Sequence, residues 1–298
     1  MGAQLRIVRR RIKSVQSTKK ITRAMELIAS SRIVKAQQRV EAARPYAQQI
    51  TAAMEDVARQ TGSVAHPLLE ERENATHVGV LLVTSDRGLA GAYNSNVMKI
   101  GEDLLREVRE RGLEPVVYVI GKKGVGYFRF RGVEMRASWQ GFSEVPPYEK
   151  AEEIGRAIIA DFADETIDEL HCAYTDFRSA FTLRATSKRF LPIAPHEVTG
   201  TGLGVVQAEY LFEPEPAEIL NALLPQYLIT KIYAAMLESA ASENASRRRA
   251  MKAATDNAED LIKQLTRQAN RARQDEITTE ISEIVGGSEA LSAATSEG

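Results

Sequence analysis

One cysteine in 298 residues leaves this chain without an internal disulfide or a cysteine-based metal cage. Cys172 lies in the apolar run 170–174 and is expected in a core. No run of about 18 apolar residues occurs, so no segment is expected to span a membrane. The N-terminus is too basic for a secretory signal, which needs an apolar stretch, and Arg6 stands where a myristoylation signal takes Ser or Thr. Four histidines, His66, His77, His171 and His196, are scattered with no i, i+4 pair, which argues against zinc. His196, within Ala194-Pro195-His196-Glu197, reads as a loop residue rather than a catalytic base.

Phosphate-binding motifs are missing as well. Gly121-Lys122 follows a strand pattern directly instead of closing a loop, and Lys123 stands where a P-loop carries Ser or Thr. Gly124-Val125-Gly126 is followed by Arg129 where a dinucleotide fingerprint needs its third glycine, and 200–204 is not followed by a helix. Gly88-Leu89-Ala90-Gly91 beside Asp86 could mark an anion site at a helix N-terminus, but a tight strand-to-helix turn explains it equally simply. Asp164, Glu165, Asp168 and Glu169 read as a solvated acidic patch at a helix end. No nucleophile, base and orienting group can be named together, so no catalytic residue, cofactor site or metal site is expected.

What is present is helical repeat. The segment 217–285 reads as one long helix interrupted at Pro225. Its seam, Leu237, Ala241, Asn244, Arg248, Met251, Thr255, Ala258, Ile262, Leu265, Ala269 and Ala272, alternates steps of four and three, the spacing of a left-handed coiled coil. About half of these residues are small, which allows close helix approach. At the other end, 3–60 reads as a second helix, kinked or interrupted at Arg44-Pro45-Tyr46. Leu5, Val8, Ile12 and Val15 form one stripe, continued with a slight rotation by Ile21, Met25, Ile28, Ile33, Ala36 and Val40. The two helices are expected to pair antiparallel into a rod on the order of 100 Å long.

Hydrophobic residues make up 44% and charged residues 27%, enough for a folded core beside such an element. The net charge of -1 hides an asymmetry, because residues 1–44 carry twelve Lys and Arg against only Glu26 and Glu41. That concentration points to an acidic partner. Single-stranded nucleic acid is a poor fit, since 1–44 contains no aromatic residue on which bases could stack.

The middle alternates strands and helices: strands at 78–84, 115–120 and 167–174, with helical faces at Val97, Ile100, Leu104 and Val108 and at Ile154, Ala157, Ile158 and Phe162. Gly121-Lys122-Lys123-Gly124 reads as a turn. Two further strands, 179–186 and 205–212, flank a Gly-rich turn at 199–204 and suggest an antiparallel edge. The fold class is therefore α/β: a long antiparallel coiled coil of N- and C-terminal helices plus a small Rossmann-like domain. The expected domains are 1–60, 75–213 and 216–286.

Several stretches resemble the gamma-subunit family of the F-type rotary ATP synthases. They are Arg11-Ile12-Lys13-Ser14-Val15, Thr18-Lys19-Lys20-Ile21-Thr22-Arg23-Ala24-Met25-Glu26, Thr84-Ser85-Asp86-Arg87-Gly88-Leu89-Ala90-Gly91, Ala250-Met251-Lys252-Ala253-Ala254-Thr255-Asp256-Asn257-Ala258, Ala272-Arg273-Gln274 and Ile277-Thr278-Thr279-Glu280-Ile281. The resemblance covers essentially the whole chain. It implies a non-catalytic central-stalk rotor of the proton-translocating complex, peripheral on the cytoplasmic face of a bacterial cell membrane. The implied partners are the hexamer of alpha and beta subunits, the epsilon subunit and the membrane c ring, with no nucleic acid and no direct membrane span. By position, Arg273, Gln274 and Thr278 match polar contacts to a beta-subunit loop, and Met25 matches a position near the beta levers. Chloroplast members carry an inserted regulatory Cys pair, which this chain lacks. The alternatives are a coiled-coil scaffold or nucleic-acid-binding adaptor with an α/β head, and a nucleotide-dependent enzyme with a helical arm.

Overall fold

A computed structural model describes residues 3–61, 66–179, 182–194 and 216–296. In chain order the elements are α1 (Ala3–Thr61), β1 (His77–Val83), α2 (Tyr93–Glu110), β2 (Glu114–Ile120), α3 (Lys122–Phe130), β3 (Ala137–Trp139), α4 (Tyr148–Ala163), β4 (Glu169–Phe177), β5 (Leu183–Leu191) and α5 (Pro216–Ser296). They fall into two compact units, Ala29–Arg247 on the one hand and Met1–Ile28 with Arg248–Gly298 on the other.

The first unit is built on a five-stranded sheet of order β3-β2-β1-β4-β5. β1 pairs parallel with β2 and β4, β2 pairs parallel with β3, and β4 pairs antiparallel with β5. A central parallel strand is covered on both faces, which explains the unbroken apolar run in β1. Alternate side chains divide between two cores. Leu81, Val83, Tyr118, Ile120, Leu170, Cys172 and Tyr174 meet Ile50, Met54 and Val57 of α1, Ile154 and Ile158 of α4, and Leu224, Leu228 and Ile232 of α5. Val80, Leu82, Val117, Val119 and Ala173 meet Val97, Leu104 and Leu105 of α2 and Val125 and Phe128 of α3. Gly155 lets α4 and α5 touch, since a Cβ there would stand 2.6 Å from Cγ1 of Ile229.

In the second unit the two long helices run antiparallel. Thr22 lies opposite Thr255, their hydroxyls 2.8 Å apart, and Lys19 reaches Glu259 at 3.0 Å. Along α5 the buried residues are Met251, Thr255, Ala258, Leu265 and Ala269, each on the heptad seam.

Four expectations need correction. Neither proline interrupts its helix: α1 runs through Pro45 and α5 through Pro225. Each costs its helix one N–H, and the residues that lose that partner, Glu41 and Asn221, are exposed, so water can serve their carbonyls. The N-terminal stripe does not rotate onto Ile21 and Ile28, which are 58% and 52% exposed. The helix keeps strict heptad phase instead, burying Thr22, Glu26, Ala29, Ile33 and Ala36. The Gly121-Lys122-Lys123-Gly124 stretch begins α3 rather than forming a simple turn. Gly124 is small because the Thr84 side chain packs there: a Cβ would lie 2.7 Å from its Oγ1. Finally, the fifth strand is shifted along the chain from the expected 179–186. The expected strand 205–212, the turn 199–204 and His196 lie outside the described residues.

Candidate functional site

In open α/β sheets a ligand binds at the carboxyl ends of the strands, where strand order reverses. Here that point lies between β1 and β4; beside it, at the carboxyl ends of β1, β2 and β3, the chain supplies its own groups. Asp86, just past β1, accepts N–H bonds from Lys122 at 3.0 Å, Gly141 at 2.9 Å and Ser143 at 3.0 Å. Burial opposes ionisation of this carboxyl, but the three backbone donors outweigh it and hold the group below its usual range. The Lys122 N–H belongs to the first turn of α3, so a carboxylate already sits where a phosphate would bind. Gly121, at φ +97°, permits the tight entry, since a Cβ there would come within 2.3 Å of the Thr84 carbonyl oxygen.

α5 covers the same edge. The Thr175 N–H donates to Ser239 Oγ at 3.4 Å, and Ser242 Oγ donates to the Thr175 carbonyl at 3.3 Å. Beyond them Glu243 and Arg247, both buried, form an ion pair at 2.5 Å. Burial raises the Glu243 carboxyl above its ordinary value, and Arg247 pulls it part of the way back. Of the three successive arginines, Arg247 turns inward, Arg248 is half-buried and Arg249 is exposed.

The acidic cluster at 164–169 is not the solvated patch expected. Asp164 and Glu165 are exposed, but Asp168 is buried, accepting N–H bonds from Thr76 at 2.7 Å and His77 at 2.9 Å and pairing with Arg72 at 2.8 Å. Glu169 pairs with Arg111 at 2.8 Å. Asp168 ties the start of β4 to β1, and Glu169 ties it to the end of α2. A cavity of about 290 Å³ opens elsewhere, among Val40, Tyr46, Tyr148, Tyr233, Leu237 and Glu238. Burial, aided by the nearby Asp176 charge, pushes the Glu238 carboxyl up to about 7. Among the described residues no cluster of His, Cys, Asp and Glu could hold a metal ion, and no helix is long and apolar enough to cross a membrane.

The four residues singled out by resemblance lie in the second unit. Met25 is half-buried on α1; Arg273, Gln274 and Thr278 are exposed on α5. The last three form one helical patch, with the Thr278 hydroxyl donating to the Gln274 carbonyl at 2.9 Å. Met25 is not part of that patch. The Thr22–Thr255 register sets it level with about residue 252, on the order of 30 Å along the pair from Arg273. Around these positions lies apolar surface that the hydrophobic pattern concealed: Ile7, Ile21, Leu27 and Ile28 on α1, and Ile277, Ile281, Ile284 and Val285 on α5. Continuing the four-three steps from Leu5 through Val15 would have found it, because Ile21 and Ile28 then fall off the seam.

The chain thus presents a paired helical element and a sheet whose β1–β3 carboxyl ends are met by its own groups. The family model described as ATP synthase matches residues 4–291. The ATP synthase gamma chain of Acidothermus cellulolyticus is 56% identical, over the full length of both chains. The chain belongs to the ATP synthase gamma chain family. The gamma chain of Thermobifida fusca is 53% identical over 99% of each chain, and that of Mycolicibacterium smegmatis 51% over 98% of this chain and 99% of its own. Among solved structures, a chain of the Euglena gracilis mitochondrial ATP synthase superposes with a TM-score of 0.66 at 16% identity, covering 99% of this chain and 97% of its own. A chain from the Tetrahymena thermophila central stalk and c-ring structure gives 0.57 at 22%, covering 78% and 99%. At those identities the likeness concerns the gamma chain fold.

Proposed function

We propose that this chain is the central-stalk rotor subunit of a proton-translocating ATP synthase, turning inside a hexamer of alpha and beta subunits and carrying no catalytic site of its own. The observation that supports this best is the antiparallel pairing of α1 and α5 on a seam of small residues, in a chain 56% identical to a named gamma chain. Interlocked helices resist bending and twisting, as a flexible linker would not, and an off-axis surface lets each rotation angle favour one state of a neighbouring site. The filled carboxyl edge of the sheet supports a non-enzymatic role. The solved relatives are titled as assemblies with a c-ring, and one title also names F1, which supports those partners here. The protein would then be peripheral, on the cytoplasmic face of the bacterial membrane, with epsilon beside it. Nothing favours the nucleic-acid adaptor.

Within that role, Arg273, Gln274 and Thr278 would contact a beta-subunit loop and Met25 would lie near the beta levers, with the basic α1 facing acidic beta segments. The double variant Arg273→Ala, Gln274→Ala is expected to fold normally. It should lower ATP hydrolysis by the reconstituted complex on the order of tenfold, the equivalent of about 1.4 kcal/mol. Unchanged turnover would remove both residues from the contact. ATP hydrolysis by the purified chain alone would sink the non-catalytic reading.

A further inference from the structure

Glu144 lies in the loop between β3 and α4, only 16% exposed at its side chain, and three arginines from three different elements converge on it. Arg32 of α1 reaches Oε1 at 2.6 Å, Arg247 of α5 reaches the same oxygen at 3.7 Å, and Arg87 from the loop after β1 reaches Oε2 at 3.4 Å. Arg247 is also held by Glu243 at 2.5 Å and donates to the Gly88 carbonyl at 3.4 Å. The loop that carries Glu144 is itself fixed, because Asp86 accepts the N–H groups of Gly141 and Ser143, and Ser143 Oγ accepts the Asp86 N–H at 2.9 Å. All of these residues belong to the Ala29–Arg247 unit. Arg32 and Arg247 stand close to its ends on the two long helices.

We propose that Glu144 is a positioning residue for rotary coupling, a carboxylate hub that locks α1 and α5 to the sheet body against shear. This rests on the rotor reading above. A carboxylate offers about four lone-pair directions and can accept several guanidinium donors at once. Apolar contacts between a helix and a sheet oppose separation, but they are non-directional and allow sliding. The charge-assisted hydrogen bond from Arg32 to Glu144 is directional and opposes sliding, and the Arg87 and Arg247 ion pairs add attraction to the same carboxylate. A single exposed ion pair does little, whereas a linked set holds its geometry where its centre is largely buried, as Glu144 and Arg247 are here, even though Arg32 and Arg87 are 39% and 67% exposed. Torque carried along α1 and α5 must enter or leave the body through their attachments to it, and this hub joins both helices to one loop.

The test uses the reconstituted complex, stalled with a non-hydrolysable nucleotide and fixed by its hexamer to a surface. A bead is attached to the body through Phe130→Cys, a position 89% exposed, while the native Cys172 is buried and will not compete. Glu144→Gln keeps the shape and removes the charge. It is expected to raise the angular variance of the bead about twofold while leaving ATP hydrolysis and thermal melting close to wild type. Arg32→Met, which deletes one spoke, should give a smaller rise and serves if Glu144→Gln fails to assemble. Wild-type variance in an assembled, active complex carrying either variant would overturn the hub. A wild-type complex that hydrolyses ATP without turning the bead would overturn the rotor reading itself, and the hub with it.

Discussion

α5 obeys two different rules along its length. Between 235 and 247 it is buried on nearly every side, including Ser239, Ser242, Glu243, Asn244 and Arg247. From Arg248 onward it buries only a seam, Met251, Thr255, Ala258, Leu265 and Ala269, while the other faces are largely exposed. In the buried stretch the charges of Glu243 and Arg247 are committed to each other, because a buried charge needs a partner inside the protein. In the helical pair Arg273, Gln274 and Thr278 lie exposed on the helix surface. A helix can therefore be enclosed in one unit and largely exposed in the other without changing its backbone.

The sharpest way to break this contrast is to remove one committed charge and one uncommitted charge. Arg247→Ala leaves Glu243 buried without its partner and is expected to cost about 3–5 kcal/mol in chemical denaturation. Arg273→Ala should stay within about 0.5 kcal/mol of wild type in the isolated chain. Equal costs would mean that the two stretches of α5 do not differ in the way described.

A smaller effect is expected at the filled edge of the sheet. Asp86→Ala leaves three backbone N–H groups without their acceptor, two of them near water, for a loss of about 2 kcal/mol. Because the folded carboxyl titrates below the ordinary aspartate range, its contribution is complete above that range and is lost as pH falls through the depressed folded value. Denaturation series at pH 7 and in strong acid should therefore show the wild-type advantage shrinking in acid. A constant gap would mean that Asp86 acts through packing alone.

The smallest effect belongs to the helical pair. Replacing Thr22 and Thr255 together by Val removes both hydroxyls from the seam and keeps its shape, so stability should change by less than about 1 kcal/mol. Each hydroxyl also reaches a carbonyl of its own helix, Thr22 that of Lys19 at 3.1 Å and Thr255 that of Met251 at 2.8 Å, so a single replacement strands neither and should also cost less than about 1 kcal/mol. A double variant worse than both singles would show the Thr pair to be a net source of stability.

Much of this architecture can be read from local pattern. β1 and β2 stand out as apolar runs closed by turn residues, and the α5 seam follows from spacing alone because nothing but a partner helix determines it. The misreadings have a common origin: a residue's local meaning was taken where a tertiary contact decided. Gly121 and Gly124 suggest a turn, yet the close approach of Thr84 is what requires them. Pro45 and Pro225 suggest breaks, yet solvent takes up the carbonyl each one orphans. Ile21 and Ile28 suggest a buried face because they are apolar, yet the phase set by Leu5 and Val8 points them outward. The Glu144 hub was not legible, because its members are 32, 87, 144 and 247 and no spacing rule links them. Only the sheet topology and the return of α5 bring them together.

The Asp86 carboxylate has one more consequence. It is tethered beside its three donors, so its effective concentration there is far above any that a dissolved anion reaches. Free phosphate or ATP would have to displace a group that cannot diffuse away. A dissolved nucleotide therefore competes poorly for this turn even where nucleotides are abundant.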